Sequence, residues 1–209
     1  MTISELNENR PSFEKGTRIL GFDPGTRIAG YAVIESLCRF ALYPRDFKLV
    51  TLGCIQASSA DEKALGLGHL HNKASEIVKF YEPKYIVIEK AFVGVNIYSA
   101  LRLGEARGAL LSAAQRHEKG IKVFELSTAE IKKSITGNGR SEKDVVRKSL
   151  ELMFGNLDKS LPFDASDALA CALTLGIAAN LVEKVKTSRS KSKSLKAILS
   201  DKLATISRS

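Results

Sequence analysis

Sulfur and imidazole are scarce in this chain, with three cysteines and three histidines among 209 residues. Cys38, Cys54 and Cys171 are scattered and form no CxxC pair. That argues against a disulfide framework or a zinc knuckle and leads us to expect a reducing cytoplasm. His69 and His71 stand two apart, on different sides of any helix they occupy, so they make no metal motif. Long apolar runs are missing as well. The longest, Ala168 to Val182, is interrupted by Thr174 and Asn180 and reads as a buried helix rather than a membrane span. Met1 to Gly16 lacks the apolar segment of a secretory signal, so export by that route is not expected. The chain shows no internal repeat.

What is present suits a soluble globular protein: 44% hydrophobic and 26% charged residues, enough to bury a core without disulfides or a structural metal. Lysine and arginine number 32 against 23 acids, a net charge of +9. The charge is uneven. Lys184 to Ser209 holds eight basic residues and one acid, +7, while the other 183 residues carry 24 basic and 22 acidic side chains, +2. Three zones follow: a polar extension (1–16), a patterned domain (17–183) and a basic tail (184–209). The tail opens on alternating serines and cations from Ser188 to Ser194, and Leu195, Ile198, Leu199, Leu203 and Ile206 then recur at helical spacing. It suits a polyanion such as nucleic acid, an anionic membrane surface or a solubilising extension, and composition does not choose among them.

The middle zone predicts strands first, then strands and helices in alternation. Strands are expected at Arg18–Asp23, Ala29–Ile34, Leu49–Ile55, Tyr85–Glu89 and Lys122–Glu125. Helices are expected at Asp61–Tyr81, stopped by Pro83, and at Tyr98–His117, Thr128–Ile135, Glu142–Met153 and Ala165–Val182. Antiparallel strands followed by alternation imply an α/β fold, a mixed five-stranded sheet with helices on both faces.

Four carboxylates stand at element ends. Asp23 closes the first strand in Asp-Pro-Gly-Thr, which taken alone is ordinary turn chemistry, with proline fixing φ and Gly25 accepting φ > 0. Glu89 ends the apolar strand from Tyr85, where a charge can simply mark the approach to solvent. Asp164 and Asp167 precede the apolar run of the last helix and read, by themselves, as a capping arrangement. Together they suggest more. If the strands from Arg18 and Tyr85 are parallel neighbours, Asp23 and Glu89 emerge at one sheet edge. Three-residue spacing puts Asp164 and Asp167 on one helix face. Converging carboxylates repel and raise one another's pKa values, a conflict that a hard divalent cation removes. Oxygen-only ligands suit Mg²⁺ or Mn²⁺, not Zn²⁺. Such a site can hold two cations about 3.5–4 Å apart, one generating hydroxide and one stabilising the leaving oxygen of a phosphodiester.

The run Ile19-Leu20-Gly21-Phe22-Asp23-Pro24-Gly25-Thr26-Arg27-Ile28-Ala29-Gly30-Tyr31 resembles the opening strand and turn of the RuvC family of Holliday-junction resolvases. Val87-Ile88-Glu89-Lys90-Ala91-Phe92, with Asn96 and Ser99 to Gly108, is similar to that family's second acidic block, and Asp164-Ala165-Ser166-Asp167-Ala168-Leu169-Ala170 to its closing motif. The match runs in order from Arg18 to Val182. The resemblance implies an RNase H-like fold, a homodimer, Mg²⁺-dependent cutting of four-way DNA junctions and a branch-migration complex resembling RuvAB as partner. It makes Asp23, Glu89, Asp164 and Asp167 the metal-binding catalytic carboxylates. It places Lys132 and Lys143 near the cleaved backbone and Phe92 where an aromatic stacks on an unpaired base. Solvated helix lysines and a core phenylalanine are the plainer readings of those three. Lys143 in a first helical turn opposes the helix dipole, which a phosphate partner would explain, although Glu142 and Asp144 beside it weaken the point. Gly104 and Gly108, one turn apart, leave a flat strip for the helix's own sheet or for a second subunit, and the resemblance favours the dimer.

The polar extension and the basic tail have no clear counterpart in the resemblance, and the connection Ser36 to Lys48, with Pro44 and Asp46, is longer than the family's usual strand connection. Two other readings stay open at this point. Asp23-x-Gly25-Thr26 also resembles the first phosphate loop of the actin and sugar-kinase superfamily. Those proteins pair two such domains, however, and 209 residues hold one. A junction binder without catalysis is the other, and the presence of all four acids gives no reason to prefer it.

Overall fold

Five of the six residues of β1 (Arg18–Asp23) are buried, because this strand lies in the middle of the sheet with helices over both of its faces. The computed structural model describes residues 13–39, 41, 43–56, 63–90, 97–115, 120–155, 157–158 and 160–177. After β1 come β2 (Ile28–Ser36), a 3₁₀ turn (Pro44–Asp46), β3 (Phe47–Gln56), α1 (Lys63–Tyr81), β4 (Tyr85–Glu89), α2 (Ile97–Gln115), β5 (Lys122–Leu126), α3 (Thr128–Thr136) and α4 (Lys143–Phe154). Helix α5 (163–177) completes the described chain. The sheet order is β3-β2-β1-β4-β5. β1, β2 and β3 are antiparallel neighbours, while β1–β4 and β4–β5 are parallel. This is the mixed sheet expected from the order of strand and helix patterns.

Side-chain alternation splits the core into two layers. On one face Leu20, Phe22, Val33, Ile86 and Ile88 pack with Leu70, Ala74 and Val78 of α1 and Ala106, Leu110, Ala113 and Ala114 of α2. On the other, Ile19, Ala32, Ile34, Tyr85, Val87, Phe124 and Leu126 meet α3, α4 and α5. α5 is buried from Ala168 to Leu175, which accounts for its apolar run. Among the described residues no helix is long and apolar enough to cross a membrane.

Several local details depart from expectation. β2 and β3 extend one to two residues further at each end, because their ladder continues from Ile28↔Gln56 to Ser36↔Phe47. α5 starts at residue 163, so Asp164 lies inside the first turn rather than at the cap. Gly25 is not among the residues with positive φ. Glycine is required there because a Cβ would lie 1.8 Å from the Ile28 carbonyl oxygen, which makes the turn sterically tight. Phe13, in the segment read as a polar extension, is buried, with its ring 5.7 Å from those of Phe47 and Tyr85. The basic tail and residues 178–182 of the expected last helix lie outside the described residues.

Candidate active site

Alternation along two parallel strands builds the floor of the site. Ile19, Gly21 and Asp23 project to one face of β1, and Tyr85, Val87 and Glu89 to the same face of β4. The register pairs Ile19 with Tyr85, Gly21 with Val87 and Phe22 with Ile88, so Asp23 and Glu89 finish side by side at the carboxyl ends of neighbouring strands. Both face the layer that contains α5.

Two glycines bring α5 down onto that face. A Cβ at Gly21 would lie 2.1 Å from the Ala168 carbonyl oxygen, and one at Gly30 would lie 1.8 Å from that of Asp164. Only a residue without a side chain lets helix backbone approach sheet backbone so closely. Asp164 and Asp167, three residues apart in the first turns of α5, are thereby held over Asp23.

The electrostatics follow from this convergence. Asp23 is only 8% exposed. Its burial, with the charges of Asp167, Glu89 and Asp164, pushes its carboxyl up to about 8, against the opposing pull of Lys143. Nζ of Lys143, at the first position of α4, donates to Oδ2 of Asp167 at 2.6 Å. Partial burial works against the lysine's charge, but the Asp167 hydrogen bond and the charges of Asp167, Asp23 and Asp164 outweigh it and raise its pKa. The cation that opposes its own helix dipole is thus compensated by a carboxylate of α5. Close by, burial and the Asp23, Glu89 and Asp167 charges push the Cys171 thiol well up, so it stays protonated beneath the site. Burial and Asp164 raise the Cys54 thiol, while the Ala165 backbone N–H acts the other way.

Glu89 has its own partner, which the sequence reading missed. Oγ1 of Thr128 donates to Oε1 of Glu89. Pairing of β5 with β4 sets Leu126 opposite Glu89, and the chain then turns into α3 through a capping box in which Ser127 and Glu130 exchange hydrogen bonds. Thr128, Lys132 and Thr136 recur every four residues and share one face of α3, but that spacing does not point to Glu89. Thr136 in turn bonds the Ser141 hydroxyl at 2.7 Å, tying α3 to the turn that leads into Lys143.

The donor set is all oxygen and acidic, with a mutual repulsion that a hard cation would relieve. As the side chains stand, no three acidic, histidine or cysteine groups among the described residues close on one point. Asp167 is engaged by Lys143, and Glu89 by Thr128.

Comparison with known proteins bears directly on this edge. The family model for crossover junction endodeoxyribonuclease RuvC matches residues 19–175, from β1 through the acidic turn of α5. The RuvC of Caldicellulosiruptor saccharolyticus is 33% identical over 156 residues, covering 75% of this chain and 90% of that protein. The RuvC of Shewanella amazonensis is 40% identical over 155 residues, 74% of this chain and 84% of that one. The chain belongs to the RuvC family. A solved structure of T. thermophilus RuvC in complex with Holliday junction substrate overlays with a TM-score of 0.70 at 24% identity, over 79% of this chain and 96% of that one, and shares the fold.

The remaining RuvC-type positions are distributed as follows. Lys132 is half-buried on α3, one turn beyond Thr128, and among the described residues it forms no ion pair. Phe92 lies outside the described residues, as does Asn96. Gly104 and Gly108 are exposed, and a Cβ at either would meet nothing within 4 Å. The inner face of α2 is formed by Ala106, Leu110 and Ala113 instead, so the glycine strip does not pack on its own sheet. Ile97 and Leu101, 71% and 62% exposed, continue the strip along the same face.

Proposed function

We propose that this RuvC-family chain resolves Holliday junctions in DNA recombination and repair. In this reading a homodimer makes paired nicks in strands of like polarity, with Mg²⁺ at each acidic site. The observation that carries the reading is the convergence of Asp23, Glu89, Asp164 and Asp167, from three separate segments, on one edge of the sheet. Relatives named crossover junction endodeoxyribonuclease over nearly their whole length support the same chemistry. An actin-like nucleotide fold is not what these relatives point to, and a binder without catalysis has no use for four mutually repelling acids.

The four carboxylates hold the cations, two per site in this reading, with Mn²⁺ able to substitute. The cations, once bound, supply the charge that activates water and stabilises the leaving oxygen. Asp23 gives up the proton that burial and its neighbours otherwise favour. Lys143 reaches the acidic edge from α4, and Lys132 shares the α3 face that meets Glu89, so both can neutralise a backbone phosphate lying there. Phe92 is assigned to stacking on an unpaired base at the crossover, where such contacts contribute about 1–3 kcal/mol each. The exposed strip Ile97, Leu101, Gly104 and Gly108 is assigned to the second subunit. Two-fold symmetry then presents one acidic site to each of two strands. A cytoplasmic location, a basic tail outside the folded domain and a branch-migration complex like RuvAB as partner complete the proposal.

The test is cleavage of a synthetic mobile four-way junction with Mg²⁺ and with EDTA, mapping both nicks at nucleotide resolution. Symmetric, Mg²⁺-dependent nicks near the crossover are expected, with linear duplex left intact. Glu89→Gln should abolish cutting while junction binding persists; undiminished cutting by that variant defeats the carboxylate mechanism.

A further inference from the structure

We infer that Thr128 is a positioning residue for Glu89, holding one carboxylate oxygen at the acidic edge so that the other is left to a divalent cation. The inference rests on the reading of Glu89 as a cation ligand and extends it to a residue outside the acidic blocks. Glu89 is the last residue of β4, where the strand's backbone no longer determines how the side chain turns. Thr128 supplies that constraint from the next strand's exit, with its hydroxyl on Oε1. Its own position is held twice over. The Glu89↔Leu126 pairing and the Lys90 N–H to Leu126 carbonyl bond, at 2.8 Å, bring the β5 exit beside the end of β4. Ser127 and Glu130 then cap α3, with the Ser127 N–H donating to Oε2 of Glu130 at 2.8 Å, so the first turn carrying Thr128 has one geometry.

The chemistry of the pair suits this role. A threonine hydroxyl donating to one carboxylate oxygen leaves the second oxygen free and removes a rotational degree of freedom from the ligand. Hydrogen-bond partners behind metal ligands commonly account for about 10–100-fold in metal affinity.

The experiment measures Mn²⁺ binding to the full-length protein without DNA, by titration calorimetry and by electron paramagnetic resonance of the free ion. It compares wild type, Thr128→Val, Thr128→Ser and Glu89→Gln, with thermal unfolding in EDTA confirming that each is folded. Thr128→Val keeps the shape and removes the donor, so its Mn²⁺ affinity should fall roughly 10–100-fold. Thr128→Ser should retain wild-type affinity, and Glu89→Gln should lose at least as much as the valine variant. Wild-type affinity in Thr128→Val alongside a loss in Glu89→Gln would overturn the role of Thr128 and leave Glu89 as a ligand. Equal losses in the serine and valine variants would also overturn it, since packing rather than the hydroxyl would then be responsible. Undiminished binding by Glu89→Gln would remove the carboxylate reading itself.

Discussion

Burial and three neighbouring carboxylates act together on Asp23. Its carboxyl is lifted from 3.8 to about 8 by burial and by Asp167, Glu89 and Asp164, so the folded chain without a cation retains a proton that the unfolded chain has lost. The folded state therefore binds more protons across this interval. Stability without cation must fall as pH rises from about 4 to about 8 and level off above. Unfolding midpoints in EDTA should decline from pH 5 to pH 8, and Asp23→Asn should flatten that decline because it has no proton to lose. Parallel profiles for the two proteins would show that the decline originates elsewhere. Lys143 moderates the same cluster from the opposite sign, through its bond to Asp167. Asp23 and Glu89 were legible as candidates from their places at strand ends. Thr128 was not, because a hydroxyl at the start of a helix is ordinary, and only the parallel pairing of β4 and β5 gives it a carboxylate to hold.

At the scale of elements, the decisive contact is α5 against β1 and β2. Gly21 and Gly30 permit it, and the acids of the first turns of α5 are positioned by it. Gly30→Ala would place a methyl group against the Asp164 carbonyl and force helix and sheet apart. Overpacking of this kind costs about 1–3 kcal/mol. Cleavage should fall further than the lost stability explains, because the displaced residue is Asp164 itself; urea unfolding and junction cutting measured on one preparation compare the two. A stability loss with unaltered cutting would show that the acidic edge tolerates the shift. Element types followed from periodicity alone, since period-2 and helical patterns read the same whatever their neighbours. The start of α5 did not. Asp164 looked like a cap, and hydrogen bonding near Pro162 and Phe163 begins the helix sooner.

Across the whole molecule, the two faces of the sheet differ in what they expose. The α3–α4–α5 face carries the charged edge, while the α1–α2 face ends in the exposed strip of Ile97, Leu101, Gly104 and Gly108. A flat glycine strip beside exposed apolar side chains suits close approach of a second copy. If this strip is the dimer seam proposed above, Leu101→Asp should sediment as a monomer where the wild type sediments as a dimer, without lowering the unfolding midpoint at low protein concentration. A variant that remains dimeric would place the interface elsewhere.

Hydrophobic period and the turn and cap residues act over short stretches of chain, so the strands and helices, the mixed sheet and the four acids are readable without any knowledge of packing. The sequence also carried the family resemblance that the comparisons bear out. Which of these residues meet depends on how the elements pack. The β1–β4 register sets Asp23 beside Glu89, the space left at Gly21 and Gly30 brings Asp164 and Asp167 of α5 to the same edge, and the β5 exit turns Thr128 toward Glu89. Those contacts join residues far apart in the chain, and their distances follow from how whole elements pack rather than from any local preference.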